Sequence, residues 1–169
     1  MTKPLLLIDV DGPLNPYAAQ RERRPEGYTT HRMRPGGWFE RKPLRVWLDH
    51  RHGAELLALA EAYELVWATT WKGEANTWIG PLLGLPELPF VDWPRMHGKA
   101  PRGTFWKTQY VLEYAEGRPF AWLDDDITSY DHEYVREHHL AAALLLSVDP
   151  RIGLIRPDFD ALADWAAAL

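Results

Sequence analysis

The stretch LLLIDVDG, residues 5–12, decides the fold class of this chain. Its first four residues form a short, continuously apolar run, which is typical of a strand buried on both faces of a sheet. Asp9 and Asp11 follow at once, and side chains two residues apart on an extended backbone point the same way. Gly12 can then take the positive φ of a sharp turn. The pattern predicts a central parallel strand that ends in two converging carboxylates.

Further strands and helices alternate along the rest of the chain. Four more short apolar runs are strand candidates, at residues 45–48, 64–68, 120–123 and 142–148. Helical patterns occur at residues 54–62, 104–115, 130–139 and 159–168. Thr104 and Asp158 are the expected N-caps of two of these helices. The alternation predicts an α/β fold with right-handed crossovers and a three-layer, mostly parallel sheet, built as one domain over residues 1–169.

Two stretches rich in proline and glycine interrupt this alternation, at residues 13–43 and 80–103. A connection as long as the first is usually functional in a compact domain. We expect residues 13–43 to form a small lid or flap inserted after the first strand, beside the site. We expect residues 80–103 to pack as a loop around the core. Because little chain remains for a large cap, the site would be open to large substrates.

Composition and charge narrow the class of protein. The 169 residues include no cysteine, so disulfides and thiolate metal sites are excluded and a reducing compartment is favoured. The first apolar run ends in aspartates rather than in a small-residue cleavage site, and no stretch is long enough to span a membrane. We therefore expect a cytoplasmic protein without a membrane partner. Its oligomeric state is left open.

The charge is unevenly distributed. From Arg21 to Arg51 there are nine Lys/Arg and four Asp/Glu, a local balance of +5, whereas the whole chain carries -5 and the remainder therefore -10. This basic segment could receive a phosphorylated substrate, or it could be a solvated loop. The aromatic residues interleaved with it are Tyr17, Tyr28, Trp38 and Phe39. They could stack on the bases of a polynucleotide or simply pack the loop.

Polar side chains follow the predicted strands at the points where ligands bind to open parallel sheets. These residues are Asp9 and Asp11, Thr69 and Thr70, and Asp124, Asp125 and Asp126, with Lys107 near the start of a helix. Converging carboxylates require a cation, and Mg²⁺ prefers oxygen ligands. A carboxylate can attack phosphorus, and a second carboxyl group can protonate the leaving oxygen. A lysine and a hydroxyl can hold the charge of the transferring group.

Four sequence runs resemble the motifs of the haloacid dehalogenase (HAD) superfamily, in the order found in that family. The runs are DVDGPLNP at 9–16, LVWATTWKGEAN at 65–76, FWKT at 105–108 and FAWLDDDIT at 120–128. More narrowly, they resemble the HAD domains of "Swiss Army knife" RNA-repair proteins, over nearly the whole chain. The resemblance implies a Rossmann-like HAD fold and a Mg²⁺-dependent phosphatase that works through an aspartyl-phosphate.

The resemblance also implies catalytic roles. Asp9 would be the nucleophile and Asp11 the general acid/base, Thr69 would hold the phosphoryl group, and Lys107 would steady the nucleophile. The chain departs from the family at Pro13, where a threonine is common. Proline at this position lacks both the hydroxyl and the backbone N–H.

Metal and substrate contacts follow from the same resemblance. Mg²⁺ would be bound by Asp9, by the backbone carbonyl of Asp11, and by Asp124 or Asp125. Because Asp126 follows directly, the ligand in this motif is uncertain by one position. The residues expected to contact substrate are Gly12, Arg34, Thr70 and Trp71.

The expected partner is a phosphorylated molecule, either an RNA or DNA end or a free nucleotide. Two other classes of function stay open. The first is a catalytically idle HAD-like scaffold that binds a nucleotide or a protein partner. The second is a sugar-nucleotide transferase that uses its DxD motif to hold a metal-bound diphosphate.

Overall fold

The computed structural model describes residues 2–94 and 99–169. Its elements in chain order are β1 (Leu5–Ile8), β2 (Thr29–Met33), β3 (Leu44–Leu48), α1 (Arg51–Leu59), β4 (Glu64–Trp67), α2 (Glu74–Trp78), α3 (Gly80–Leu83), α4 (Thr108–Ala115), β5 (Phe120–Asp124), α5 (Ser129–His138), β6 (Ala143–Ser147) and α6 (Arg156–Ala167). A short 3-10 turn, Pro101–Gly103, precedes α4. Within the described ranges, no helix is long and apolar enough to cross a membrane.

Four of the strands form the predicted parallel sheet, and their order is β4-β1-β5-β6. β1 pairs with β4 on one side and with β5 on the other. In this register Ile8 lies level with Trp67 and Leu123. The residues that follow these strands therefore meet at one edge of the sheet, which confirms that the polar groups after β1, β4 and β5 share one location.

The two faces of the sheet are covered by separate helical layers. Leu6 and Ile8 belong to a core cluster that includes side chains of α1, α2, α3 and α6. Leu5 and Leu7 belong to a second cluster that includes side chains of α4 and α5. All four residues of β1 are fully buried, as expected for a strand covered on both faces. The expected three-layer α/β architecture is therefore confirmed.

The insertion after β1 contains a second sheet that the sequence did not predict. Residues 45–48 were expected as a strand of the parallel sheet, and this placement is wrong: β3 pairs antiparallel with β2. β2 reads TTHRM, and only Met33 in it is buried. A strand with one buried residue carries no alternation of apolar and polar positions, so its sequence reads as a loop.

Two further expectations about helices are corrected. The helix expected from residue 104 begins at Thr108, and the Thr104 hydroxyl instead donates to the Pro101 carbonyl at 2.7 Å. Asp158 lies inside the first turn of α6, where its carboxylate accepts from the Ile155 backbone N–H at 2.9 Å. α2, and α3 within the expected loop at 80–103, were missed because helices of five and four residues are too short to show a helical period.

Gly53 allows α1 and α3 to approach closely. A Cβ at this position would lie 1.7 Å from the Leu83 backbone oxygen. The close approach is testable by substitution, because helix propensity alone predicts that Gly53→Ala stabilises α1 by about 1 kcal/mol. We expect instead a loss of about 1–3 kcal/mol in the free energy of unfolding, because α3 must move away. Urea denaturation measures this loss. Ala58→Gly, at an exposed position of the same helix, is the control and should lose about 1 kcal/mol. A stabilised Gly53→Ala variant would contradict the close approach.

His52 makes the stability dependent on pH. Burial lowers the pKa of His52 below 6.5, partly offset by Asp49. Its Nε2 lies 3.1 Å from the Leu154 carbonyl, and the ring packs edge-on to Tyr28. The unfolded chain therefore takes up this proton more readily than the folded one, and the stability present above pH 6.5 is lost as the pH falls.

We expect His52→Gln to remove this contribution. The free energy of unfolding, measured by urea denaturation at several values between about pH 7 and about pH 5, should fall more steeply for the wild type than for the variant. If the free energy of unfolding depends on pH in the same way for the wild type and the variant, His52 has the same pKa in the folded and the unfolded chain.

Candidate active site

A buried lysine joins the ends of two neighbouring strands. The Lys107 ammonium lies 2.9 Å from Asp9 Oδ2 and 2.8 Å from Asp124 Oδ2, and it donates to the Ala68 carbonyl at 3.1 Å. Asp9 follows β1, Asp124 ends β5, and Lys107 directly precedes α4. All three side chains are buried. The parallel register thus brings together three of the predicted site residues, with one cation between two buried anions.

Burial and charge act in opposite directions on these groups. Burial raises the pKa of Asp9 well above its usual range, although Lys107 partly lowers it. Burial likewise raises the pKa of Asp124 against the effect of Lys107. For Lys107, burial alone lowers the pKa, but the attraction of Asp9 and Asp124 outweighs it and the net shift is upward. The lysine is therefore held in its charged form.

The Asp11 carboxylate is held by two donors. Asn15 Nδ2 donates to Asp11 Oδ1 at 2.8 Å, and Trp71 Nε1 donates to Asp11 Oδ2 at 2.9 Å. Asn15 Oδ1 in turn accepts from the Trp47 backbone N–H of β3 at 3.0 Å. Asn15 was not singled out in the sequence, and its position four residues after Asp11 in a turn was the only available signal. Trp71, expected to contact substrate, is placed instead as a donor to Asp11.

Gly12 allows Asp125 to approach the β1 turn. Its φ is +101°, as predicted for a sharp turn, and a Cβ there would lie 2.7 Å from Asp125 Cγ. Asp125 Oδ2 accepts from the Tyr17 hydroxyl at 2.7 Å. This hydrogen bond raises the pKa of Tyr17, with a further contribution from burial. No sequence pattern predicts that Tyr17 pairs with Asp125, which lies 108 residues away.

The two threonines after β4 occupy different environments. Thr69 is fully buried, and its Oγ1 accepts from the Trp71 backbone N–H at 3.3 Å. Its carbonyl accepts from Trp93 Nε1 at 2.9 Å. Thr70 is exposed and lines the cavity over Asp9, whereas Thr69 does not.

A cavity of about 330 Å³ opens over these groups. Its lining includes Asp9, Asp11 and Lys107, together with the aromatic side chains Tyr17, Phe105 and Trp106. Arg34, expected to contact substrate, does not line it. The Arg34 guanidinium donates to the carbonyls of Glu40 and Arg41 at 3.0 and 2.8 Å, within the connection between β2 and β3. The cavity therefore combines acids, one cation and an aromatic wall.

Three carboxylates are arranged so that they could hold a metal ion. Oxygen atoms of Asp9, Asp124 and Asp125 all lie within 4.8 Å of one another. Lys107 forms ion pairs with two of them, which leaves an excess of negative charge. Hard oxygen donors in such a group match the preference of Mg²⁺. Asp126 lies outside the group, although its backbone N–H donates to Asp124 Oδ1 at 3.1 Å.

Comparison with known proteins identifies the family. The family described as "HAD domain in Swiss Army Knife RNA repair proteins" matches residues 5–159. This range covers most of the chain, and the chain therefore belongs to that family. No curated protein and no solved structure gave a significant match.

The contact between Gly12 and Asp125 is testable by substitution. Gly12→Ala should lower the free energy of unfolding by about 1–3 kcal/mol, because alanine is strained at this φ and its methyl group displaces Asp125. Gly84→Ala is the matched control, since Gly84 has φ +70° and nothing within 4 Å of a Cβ. It should lose only the strain, about 1 kcal/mol. If urea denaturation shows the same loss of unfolding free energy for Gly12→Ala and Gly84→Ala, Asp125 can move away from the added methyl group without a measurable cost.

Proposed function

We propose that this HAD domain is a Mg²⁺-dependent phosphomonoester hydrolase that works through an aspartyl-phosphate on Asp9. Family membership supports hydrolase chemistry in general. The observation that carries the specific proposal is the buried triad of Asp9, Lys107 and Asp124 beneath a cavity. The proposed substrates are nucleic-acid ends or nucleotides, whose phosphomonoesters are small enough to enter the cavity.

In the first step, an Asp9 carboxylate oxygen attacks phosphorus. A bond forms between this oxygen and phosphorus, and the bond from phosphorus to the leaving oxygen breaks. Lys107 counteracts the effect of burial on Asp9 and so favours its ionised, nucleophilic form. Lys107 also provides positive charge for the transferring group. Thr69 remains the proposed hydroxyl for the phosphoryl group, with Thr70 as the exposed hydroxyl at the cavity.

Asp11 is the proposed general acid and base. It donates a proton to the leaving oxygen as that oxygen departs. It then accepts a proton from the water that attacks phosphorus, which releases inorganic phosphate and restores the Asp9 carboxylate. The hydrogen bonds from Asn15 and Trp71 fix the orientation of Asp11 for both transfers.

Asp9, Asp124 and Asp125, with the Asp11 backbone carbonyl, would hold the Mg²⁺ ion. A bound Mg²⁺ ion would supply positive charge to the phosphoryl oxygens. The excess of negative charge around Lys107 supports this ligand set. Asp124 and Asp125 are both included because both contribute oxygens to the same group.

Asp9→Asn tests the nucleophile. Amide nitrogen and oxygen cannot replace the carboxylate in attack, so Mg²⁺-dependent release of phosphate from an aryl phosphate should fall by at least about 10³-fold. Asp164→Asn makes the same chemical change at an exposed position of α6 and should leave the rate unchanged. Circular dichroism and urea denaturation establish that both variants are folded.

Two outcomes would contradict the proposal. Full activity of Asp9→Asn would rule out Asp9 as the nucleophile. A folded wild type that releases no phosphate with Mg²⁺ would favour an idle scaffold, provided that the panel includes aryl phosphates, mononucleotides, sugar phosphates, and oligonucleotides phosphorylated at either end.

A further inference from the structure

The nine basic residues from Arg21 to Arg51 separate into groups with different surroundings. Arg51 forms an ion pair with Asp49 at 2.7 Å, and the Arg34 guanidinium binds backbone carbonyls. Arg23 and Arg24 line a different cavity. The remaining cations line one groove of about 800 Å³, here called the basic groove: Arg21, Arg32, Arg41, Lys42 and Arg45.

Among residues 2–94 and 99–169, the cations of the basic groove form no ion pair. Other arginines of the chain are paired, among them Arg118 with Glu64 at 2.7 Å and Arg151 with Asp149 at 2.6 Å. Glu40 also lines the groove and has no ion pair with any described residue. The groove is therefore a local concentration of uncompensated positive charge on a chain whose net charge is -5.

The geometry of β2 and β3 enforces this concentration. Arg32 and Arg45 lie directly opposite each other in the antiparallel register. Like charges in this position destabilise a sheet. The pKa of Arg45 is lowered, by burial and then by the charges of Arg21 and Arg32. An anion bound between these side chains would relieve the repulsion.

The groove is held in place before any ligand arrives. The Arg45 guanidinium lies 3.7 Å from the Trp47 ring centroid and donates to the Arg21 carbonyl at 2.8 Å. Trp38 lines the groove, and its Nε1 donates to the Lys42 carbonyl at 2.9 Å. Because these contacts already order the side chains of the groove, less of the binding free energy is lost in ordering them when a ligand binds.

An exposed aromatic residue, Phe39, is adjacent in sequence to residues of the basic groove. Phe39 is 94% exposed and lies between Trp38 and Glu40, which both line the groove. Tyr28, by contrast, is buried, and its hydroxyl donates to the Ile152 carbonyl, so it packs the insertion. A basic groove combined with an available aromatic ring matches the surfaces that bind single strands through phosphates and stacked bases.

The connection between β2 and β3 also lies next to the active-site cavity, through a small cavity that shares Thr70 with it. The Gly36 backbone N–H donates to Glu74 Oε2 at 2.8 Å. Gly36, Thr70 and Trp71 line a small cavity of about 170 Å³, and Thr70 also lines the cavity over Asp9. The connection at residues 34–43 therefore has one part at the edge of the active site and another in the basic groove.

We propose that the basic groove binds the backbone of a single-stranded polynucleotide whose phosphorylated end enters the cavity over Asp9. Several cations in one groove match a chain of successive phosphates, whereas a mononucleotide carries its phosphates at one end. Arginine, which supplies four of the five cations, suits phosphate because its planar fork donates two parallel hydrogen bonds. The entry of the end rests on the proposed function, whereas strand binding by the groove does not.

The double variant Arg32→Gln/Lys42→Gln tests the groove, because both side chains are exposed. Lys3→Gln/Arg136→Gln is the matched control: it removes the same charge from exposed positions before β1 and on α5. Fluorescence anisotropy measures the Kd for labelled single-stranded RNA and DNA oligonucleotides of about 12 nucleotides at several salt concentrations. Both pairs are made in the Asp9→Asn background, so that no turnover occurs during binding.

We expect the groove variant to bind at least about tenfold more weakly at low salt, and its slope of log K against log salt to be smaller by about 1.4, for two lost phosphate contacts. The control should match the parent. If the groove pair and the control pair weaken oligonucleotide binding equally, or if neither weakens it, the groove is not the binding site. Binding to phosphatidylserine vesicles as tight as to oligonucleotides, and lost in the same groove variant, would overturn the choice of partner.

Catalysis separates this inference from the proposed function. With Asp9 restored, the groove variant should hydrolyse an aryl phosphate like the wild type but show a raised KM for end-phosphorylated oligonucleotides. If the wild type binds oligonucleotides through the groove but releases no phosphate, the proposed phosphatase function is wrong and the inference of strand binding still holds. If the wild type is an active phosphatase but the groove variant binds oligonucleotides as tightly as its parent does, only the inference of strand binding is wrong.

Discussion

The ion pairs of Lys107 with Asp9 and Asp124 are the constraint on which the rest of the site depends. Two buried carboxylates at neighbouring strand ends would be costly without a cation, and Lys107 provides it within 3 Å of both. These contacts require β1, β5 and the start of α4 to meet in one register. The apolar strands place the aspartates, and the aspartates in turn fix the lysine. Packing and charge therefore specify the same arrangement.

The parts of this protein that could be predicted from its sequence are those with strong local signals. β1 was predicted with its observed bounds, because a continuous apolar run that ends in aspartate has few alternatives. The rule that ligands meet at the carboxyl ends of parallel strands predicted that Asp9 and the aspartates at 124–126 converge. Lys107 was predicted from the start of a helix and from the family resemblance. A local pattern combined with a topological rule was enough to locate the site.

What the sequence could not provide depends on long-range pairing. β2 has no apolar alternation, and its pairing with β3 is set by the register between strands. Tyr17 and Asp125 are hydrogen-bonded although they are remote in sequence. The environments of Thr69 and Thr70 differ because the backbone after β4 directs the Thr69 side chain into the interior and leaves Thr70 exposed. Nor could the sequence separate the arginines that are already bonded, such as Arg34, from those of the basic groove, which form no ion pair within the part of the chain that the structure describes.

Asn15 links two parts of the protein that are otherwise distinct. Its amide nitrogen binds Asp11, and its amide oxygen binds the backbone of Trp47 in β3. In mechanical terms, the turn after β1 and strand β3 are joined through one planar group. This group couples a displacement of β3 to Asp11, whereas the connection at residues 34–43 lies outside this link. A long substrate could displace that connection while Asp11, the proposed general acid, keeps its orientation.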